Sequence, residues 1–238
     1  MITSKLSTPF VRAWEIFQKE GFITLIKRTF VFLLSWLSYE KYTFYVYVQV
    51  CEHRNEADFI PKIKDFTCEI VETAQQLDKL SDNGFDLSLL DVNQTRYRLG
   101  KGAIVTLVFV ERELAFIGWA AMTEEAKSTF NRYPYKVDFF NNEACVGEAW
   151  TNPEYRRLGI YVYANYKREE FLMCKGIKKI LAIVNINNAA VQIANIKLGE
   201  LGTPVKARYL RIGRVQFWKE TPINPLETNN DKYIEYPN

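Results

Sequence analysis

Histidine is almost missing: the 238 residues contain one, His53. A site built on two or more imidazoles from one chain is excluded, and any Ser-His-Asp or Cys-His centre would have to use His53 alone. That residue lies in the polar stretch Cys51-Glu52-His53-Arg54-Asn55-Glu56, which reads as a solvated loop. Cysteine is also sparse. Cys51, Cys68, Cys145 and Cys174 are widely spaced, and none forms a Cys-x-x-Cys pair, so no metal site is expected. No signal-peptide pattern opens the chain. The thiols then fit a reducing cytoplasm, each behaving as a small apolar residue.

Long apolar runs are missing too. The most apolar stretch, Phe30-Val31-Phe32-Leu33-Leu34-Ser35-Trp36-Leu37, falls well short of the roughly 20 residues that span a bilayer. Charge of either sign is nearly balanced, with Lys+Arg 31, Asp+Glu 28 and a net charge of +3. A strongly basic nucleic-acid binder is therefore disfavoured. The excess is localised: residues 1–50 hold six basic and three acidic side chains, and the rest of the chain is neutral. With 48% hydrophobic and 25% charged residues, global disorder is excluded. The length suits one domain plus an appendage.

Residues 9–38 read as helix, carrying Phe10, Trp14, Phe17, Ile23 and Ile26, with Gly21 as a break. Basic residues beside aromatic bulk suit either a helix packed on the main domain or one lying in a membrane interface. Residues 42–50 read as a strand, rich in Tyr and Val. The spacing of Ile63, Phe66, Ile70, Val71 and Ala74 predicts a helix over 61–80. Ala103–Val110 and Leu114–Met122 form a predicted antiparallel hairpin across Glu111-Arg112-Glu113. Residues 124–142 give no clear pattern. Ala144–Thr151 is a further short strand.

The next segment carries the chemistry. A turn through Pro153 and Arg156-Arg157-Leu158-Gly159 leads into a helix from Ile160. On it Tyr163, Ala164, Phe171 and Cys174 share a face with Ile160, and Gly176 is the stop signal. Ile180–Val184 is a continuous apolar strand. A second helix starts at Asn187 or Asn188, either of which can cap it, and ends at Leu198-Gly199. Strand, turn, helix, strand implies a parallel pair with a crossover helix. Residues 207–219 read as a closing strand or hairpin, and 223–238 as a loose tail. The free backbone N–H groups where a turn enters a helix make an anion site. Gly159 permits close approach, and Arg156 and Arg157 add charge.

Thr151-Asn152-Pro153-Glu154-Tyr155-Arg156-Arg157-Leu158-Gly159-Ile160-Tyr161 resembles the acyl-CoA pyrophosphate loop of the GNAT N-acetyltransferase superfamily. Asn188-Ala189-Ala190, followed by Lys197-Leu198-Gly199, resembles the family's second signature at the expected separation. The resemblance covers about 42–220, with the earlier strands and hairpin in the family order. It implies an α/β (α+β) fold: a mixed, mostly antiparallel sheet with a splayed parallel pair, flanked by helices. The domain plan it suggests is a basic, aromatic helical extension over 1–40, an acyltransferase domain over 41–222 and the tail over 223–238.

The implied activity is transfer of acetyl, or another acyl group, from acyl-CoA to a primary amine on a small metabolite, amino sugar or protein. By resemblance, backbone N–H groups of Arg157, Leu158, Gly159, Ile160 and Tyr161 hold the pyrophosphate, with Arg156 beside them. Backbone groups at Trp150 and Thr151 pair with the pantetheine arm and polarise the thioester. Asn188 sits near the pantetheine or leaving sulfur. Glu148, three residues before Thr151, is the candidate base; its other reading is a solvated strand carboxylate. The sequence departs from the family at Arg157 (Gly), Tyr161 (Gly or Ala), Asn195 (Tyr) and Glu200 (Phe). Asn195 replaces the usual proton donor, leaving Tyr161, Tyr163 or water for that role. The other functional readings are a degenerate member of the fold acting as a binding module, and a structural membrane-associated protein. Peripheral membrane contact, if present, is expected through residues 9–38.

Overall fold

The computed structural model of the chain describes residues 18, 20–36, 39–198 and 204–223. The stretch 9–17, Gly199, Glu200 and the tail from 224 lie outside the described residues. The elements in chain order are α1 (Phe22–Trp36), β1 (Tyr39–Val50), β2 (Phe66–Val71), α2 (Ala74–Asp82), α3 (Val92–Gly100), β3 (Ile104–Val110) and β4 (Glu113–Ala121). They continue with α4 (Glu124–Ser128), β5 (Glu143–Thr151), α5 (Ile160–Cys174), β6 (Lys179–Asn185), α6 (Ala189–Lys197), β7 (Val205–Ile212) and β8 (Val215–Pro222).

The chain divides into two compact units, residues 43–207 with 220–238, and residues 1–42 with 208–219. In the larger one, six strands run in the order β2-β3-β4-β5-β6-β1. Every neighbouring pair is antiparallel except β5 and β6, which run parallel. The mixed, mostly antiparallel sheet with one parallel pair is the arrangement expected from the sequence. In the smaller unit, the rings of Tyr42 and Tyr209 stack with centroids 6.5 Å apart. Arg214 follows Gly213 in the turn between β7 and β8, where Gly213 has a φ of 57°.

Two expectations need correction. The first is the helix over 61–80. Phe66, Cys68 and Ile70 recur every second residue, and this stretch is a strand paired with β3 from Phe66↔Val110 to Val71↔Val105. The helix begins only after Thr73, whose hydroxyl accepts from Gln76 N while Gln76 Oε1 accepts from Thr73 N. Residues 42–50 form a strand as expected, lying antiparallel to β6 from Phe44↔Asn185 to Val50↔Lys179. The edge beside β3 belongs to β2. The second is the buried face of α5. Tyr166, Arg168, Glu169 and Leu172 are buried with Ile160, Tyr163 and Ala164, whereas Phe171 is half-buried and Cys174 exposed.

The core sits on the central strands. Every residue of β3 is buried, and Ile160 and Ala164 of α5 pack against Val108, Val110, Ala115 and Phe116. Fully burying an aliphatic or aromatic side chain of this size contributes roughly 1.5–3 kcal/mol. Gly176 ends α5 as its position suggested. At φ 87°, it lets Gly176 N reach Met173 O at 2.9 Å and Ile177 N reach Leu172 O at 3.0 Å.

Candidate functional site

The site is set by where two strands part. β5 and β6 pair only from Glu143↔Lys179 to Val146↔Ala182. Beyond that point β6 keeps its pairing with β1, and β5 keeps its pairing with β4 as far as Phe116↔Thr151. A bulge lies where they separate. Trp119 faces Gly147 and Ile117 faces Trp150, so β5 uses one more residue than β4 over this step. Glu148 is in the bulge, with the left-handed φ of 47° that non-glycine residues seldom adopt. Among the described residues, no strand pairs with β5 on its β6 side after Val146.

The turn after β5 is pinned at both ends. Asn152 N donates to Ala115 O at 2.9 Å, and Asn152 Oδ1 accepts from Glu154 N at 3.2 Å. Tyr155 donates its hydroxyl to Glu113 Oε2 at 2.6 Å. Arg156 folds back, its Nε donating to Thr151 O at 3.1 Å. Arg157 is exposed, with φ 66°, so it adopts the left-handed backbone that the family's glycine favours at this position. Gly159 follows at φ 91° and opens α5 without a side-chain cap. A Cβ at Gly159 would lie 3.3 Å from the Pro61 backbone, and Lys62 N donates to Leu158 O at 2.8 Å. The segment before β2 therefore braces the turn. Among the described residues, the N–H groups of Arg157, Leu158, Gly159, Ile160 and Tyr161 have no assigned acceptor. With the positive end of a 15-residue helix behind them, they can hold an anion. Ile160 can take part only through its backbone, because its side chain is buried in the core.

The residues suggested for proton transfer occupy different surroundings. Glu148 is half-exposed, and Arg98 Nη1 donates to its Oε2. Both line a cavity of about 190 Å³ with Leu89, Leu90, Asp91, Gln94, Thr95, Ile117, Trp119 and Trp150. Trp150 of the cofactor set thus lies on the same cavity as the candidate base. Tyr161 donates its hydroxyl to Asn195 Oδ1 at 3.3 Å, so two positions that depart from the family pattern meet. Burial raises the Tyr161 pKa, while Arg168 opposes that shift. Tyr163 donates instead to Glu56 Oε1 at 2.7 Å, and burial raises its pKa as well. Asn188 is exposed and caps α6, with its Oδ1 accepting from Val191 N at 3.3 Å. His53 is exposed outside regular structure.

The cavity residues of α3 were not anticipated. Arg98 is buried, lies with its guanidinium 4.7 Å from the Trp119 ring centre, and keeps a buried Nε–H without an acceptor. One sequence signal was available: Asp91 and Gln94 have the spacing of a helix cap, and Asp91 Oδ1 accepts from Gln94 N at 2.9 Å. Among the described residues, no group of three or more His, Cys, Asp or Glu side chains could hold a metal ion. No described helix is long and apolar enough to cross a membrane.

No protein-family model matches the chain, and no curated protein sequence matches it. Solved structures do. A GNAT-family acetyltransferase from Colwellia psychrerythraea is 14% identical, with 76% of this chain and 57% of that one covered at a TM-score of 0.45. A tandem GNAT protein from the clavulanic acid biosynthesis pathway is 12% identical, covering 78% and 55%, at 0.46. A GCN5-related N-acetyltransferase from Sphaerobacter thermophilus is 12% identical, covering 83% and 56%, at 0.42. The chain thus spans between half and two thirds of the length of these three. The values describe a similar course of the chain and say nothing of its activity.

Proposed function

We propose that the protein is an acyl-CoA-dependent N-acyltransferase that passes acetyl, or another acyl group, directly to a primary amine in a ternary complex. The parting of β5 from β6 carries this reading. It leaves one side of β5 available to an extended ligand whose amides add to the strand edge, just before a turn whose free N–H groups can hold an anion. The pantetheine arm would pair along Trp150 and Thr151, with the thioester carbonyl polarised there. The pyrophosphate would lie on the N–H groups from Arg157 to Tyr161, with Arg156 nearby. Glu148, reaching the cavity from the bulge, would take the proton of the incoming amine. Tyr161 is favoured over Tyr163 as donor to the departing sulfur, because its bond to the neutral Asn195 amide is long, 3.3 Å, whereas Tyr163 is held at 2.7 Å by the Glu56 carboxylate. Asn188 would border the arm from the start of α6. The test is calorimetry with acetyl-CoA followed by thiol release across an amine panel. Binding with release supports transfer; failure to bind at millimolar cofactor overturns it.

One observation favours a second reading, a module that binds acyl-CoA without turnover: the Glu148 carboxylate is already engaged by Arg98. Binding without release from any amine would select it. A narrower proposal concerns location. Phe22, Ile23, Ile26 and Phe30 are exposed on α1 and fall within an arc of roughly 100°, with Lys27 at its border. This would seat α1 on an anionic membrane surface. Equal co-sedimentation with anionic vesicles by the full chain and a form lacking 1–38 would sink the idea.

A further inference from the structure

From the lining of the α3 cavity we infer that the acceptor is a small cationic amine with an apolar, flat body rather than an amino sugar or an amino acid. This inference rests on the acyl-transfer reading and names its substrate class. Five lining side chains are apolar: Leu89, Leu90, Ile117, Trp119 and Trp150. Only Gln94 and Thr95 are neutral and polar. Sugar hydroxyls turned toward these five apolar side chains would find no partner there. Trp150 is half-buried and offers indole surface to a flat group or to the ammonium itself.

Charge points the same way. Two carboxylates, Asp91 and Glu148, stand against one guanidinium, Arg98, and that guanidinium already pairs with Glu148. The balance favours a cation and opposes an added carboxylate on the ligand. Asp91 is exposed and binds only Gln94 N within the described hydrogen bonds, so its second oxygen can take an ammonium N–H. The volume of about 190 Å³ lies below the usual range for ligand cavities, roughly 300–1,000 Å³, which suits a single ring or short chain.

The experiment compares 2-phenylethylamine, phenylalanine and glucosamine as acceptors at fixed acetyl-CoA, read by thiol release. Phenylalanine is the first compound's skeleton carrying a carboxylate. The expected result is a kcat/KM for 2-phenylethylamine at least about ten-fold above the other two. Equal or better turnover of phenylalanine or glucosamine overturns the inference while leaving acyl transfer standing. Asp91→Asn removes the charge and keeps the helix cap, because Asn caps as well as Asp. It should raise the amine KM about ten-fold and leave the acetyl-CoA KM unchanged; an unchanged amine KM overturns the role given to Asp91. If no amine releases thiol, the acyl-transfer reading fails and the cavity is tested alone by tryptophan fluorescence. Quenching by 2-phenylethylamine that weakens in Asp91→Asn supports a flat cationic ligand in this cavity, and absence of quenching overturns that ligand class as well.

Discussion

Arg98 of α3 reaches Glu148 in the bulge of β5 and covers the Trp119 ring on the way. One side chain thus ties a helix absent from the sequence reading to the carboxylate singled out in it. The contact separates two roles for Glu148. Glu148→Gln retains an oxygen for Arg98 and should leave the melting temperature nearly unchanged, while lowering kcat about 10²-fold or more if Glu148 is the base. Glu148→Ala leaves the buried guanidinium without that acceptor and should also cost about 1–3 kcal/mol of stability. Paired rate and melting measurements read both. Unchanged turnover in Glu148→Gln removes it as base.

Gly159 allows a sharper test of the phosphate turn. Its φ of 91° and the Pro61 backbone, 3.3 Å from where a Cβ would lie, leave little tolerance for any side chain. Gly159→Ala should cost about 1–2 kcal/mol in stability. Gly159→Glu adds a negative charge at the anion site and should abolish acetyl-CoA binding by calorimetry. Circular dichroism confirms that the fold survives. A folded Gly159→Glu protein that binds acetyl-CoA normally would displace the phosphate from this turn.

Alkaline pH should destabilise the protein. Tyr47 is raised to about 12, chiefly by burial, and Tyr155 to about 12, chiefly by its hydrogen bond to Glu113. Burial raises Tyr161 and Tyr163 too. Below about pH 10 the folded and unfolded chains both keep these protons, and the stabilising contribution is whole. Above it the unfolded chain releases protons that the folded chain retains, so stability falls as pH climbs toward 12. Arg168, lowered to about 10 by burial, acts in the opposite sense, but it is one group. Melting temperatures should therefore drop between about pH 10 and pH 12. A flat profile contradicts the tyrosine assignments.

Thiol reactivity should be uneven. Burial holds Cys51 near 11, Cys68 near 12 and Cys145 near 11, whereas Cys174 is exposed. A disulfide reagent at about pH 8 should modify Cys174 rapidly and the other three only after denaturation. Cys174→Ser should remove the fast phase. Rapid loss of more than one thiol from the folded protein would contradict this pattern.

Local signals were legible in the sequence, and pairings were not. Asn188 caps α6, Gly176 stops α5 and Gly159 opens it, and each of these depends on residues within one or two turns. Phe66–Val71 was misread because its strand character depends on β3, more than thirty residues away. Residues 42–50 were recognised as a strand, yet their neighbour β6 could not be inferred from composition. Within the site, Glu148 was visible as a carboxylate upstream of the turn. Its bulge was not, because an extra residue shows only against a partner strand. Arg98 looked like any arginine until α3 placed it beside Trp119.

The bulge has a consequence in parity. Sides alternate along a strand, so one supernumerary residue exchanges inside and outside for all that follows. Ile117 and Trp119 share a side of β4, and their partners on β5 are three residues apart, an odd count. Deleting Ala149 would restore an even count, keep Trp150 opposite Ile117 and turn Glu148 to the other surface, away from Trp150. A site of this kind is not reached by exchanging one amino acid for another. It requires a change in length, and a single lost codon would undo it.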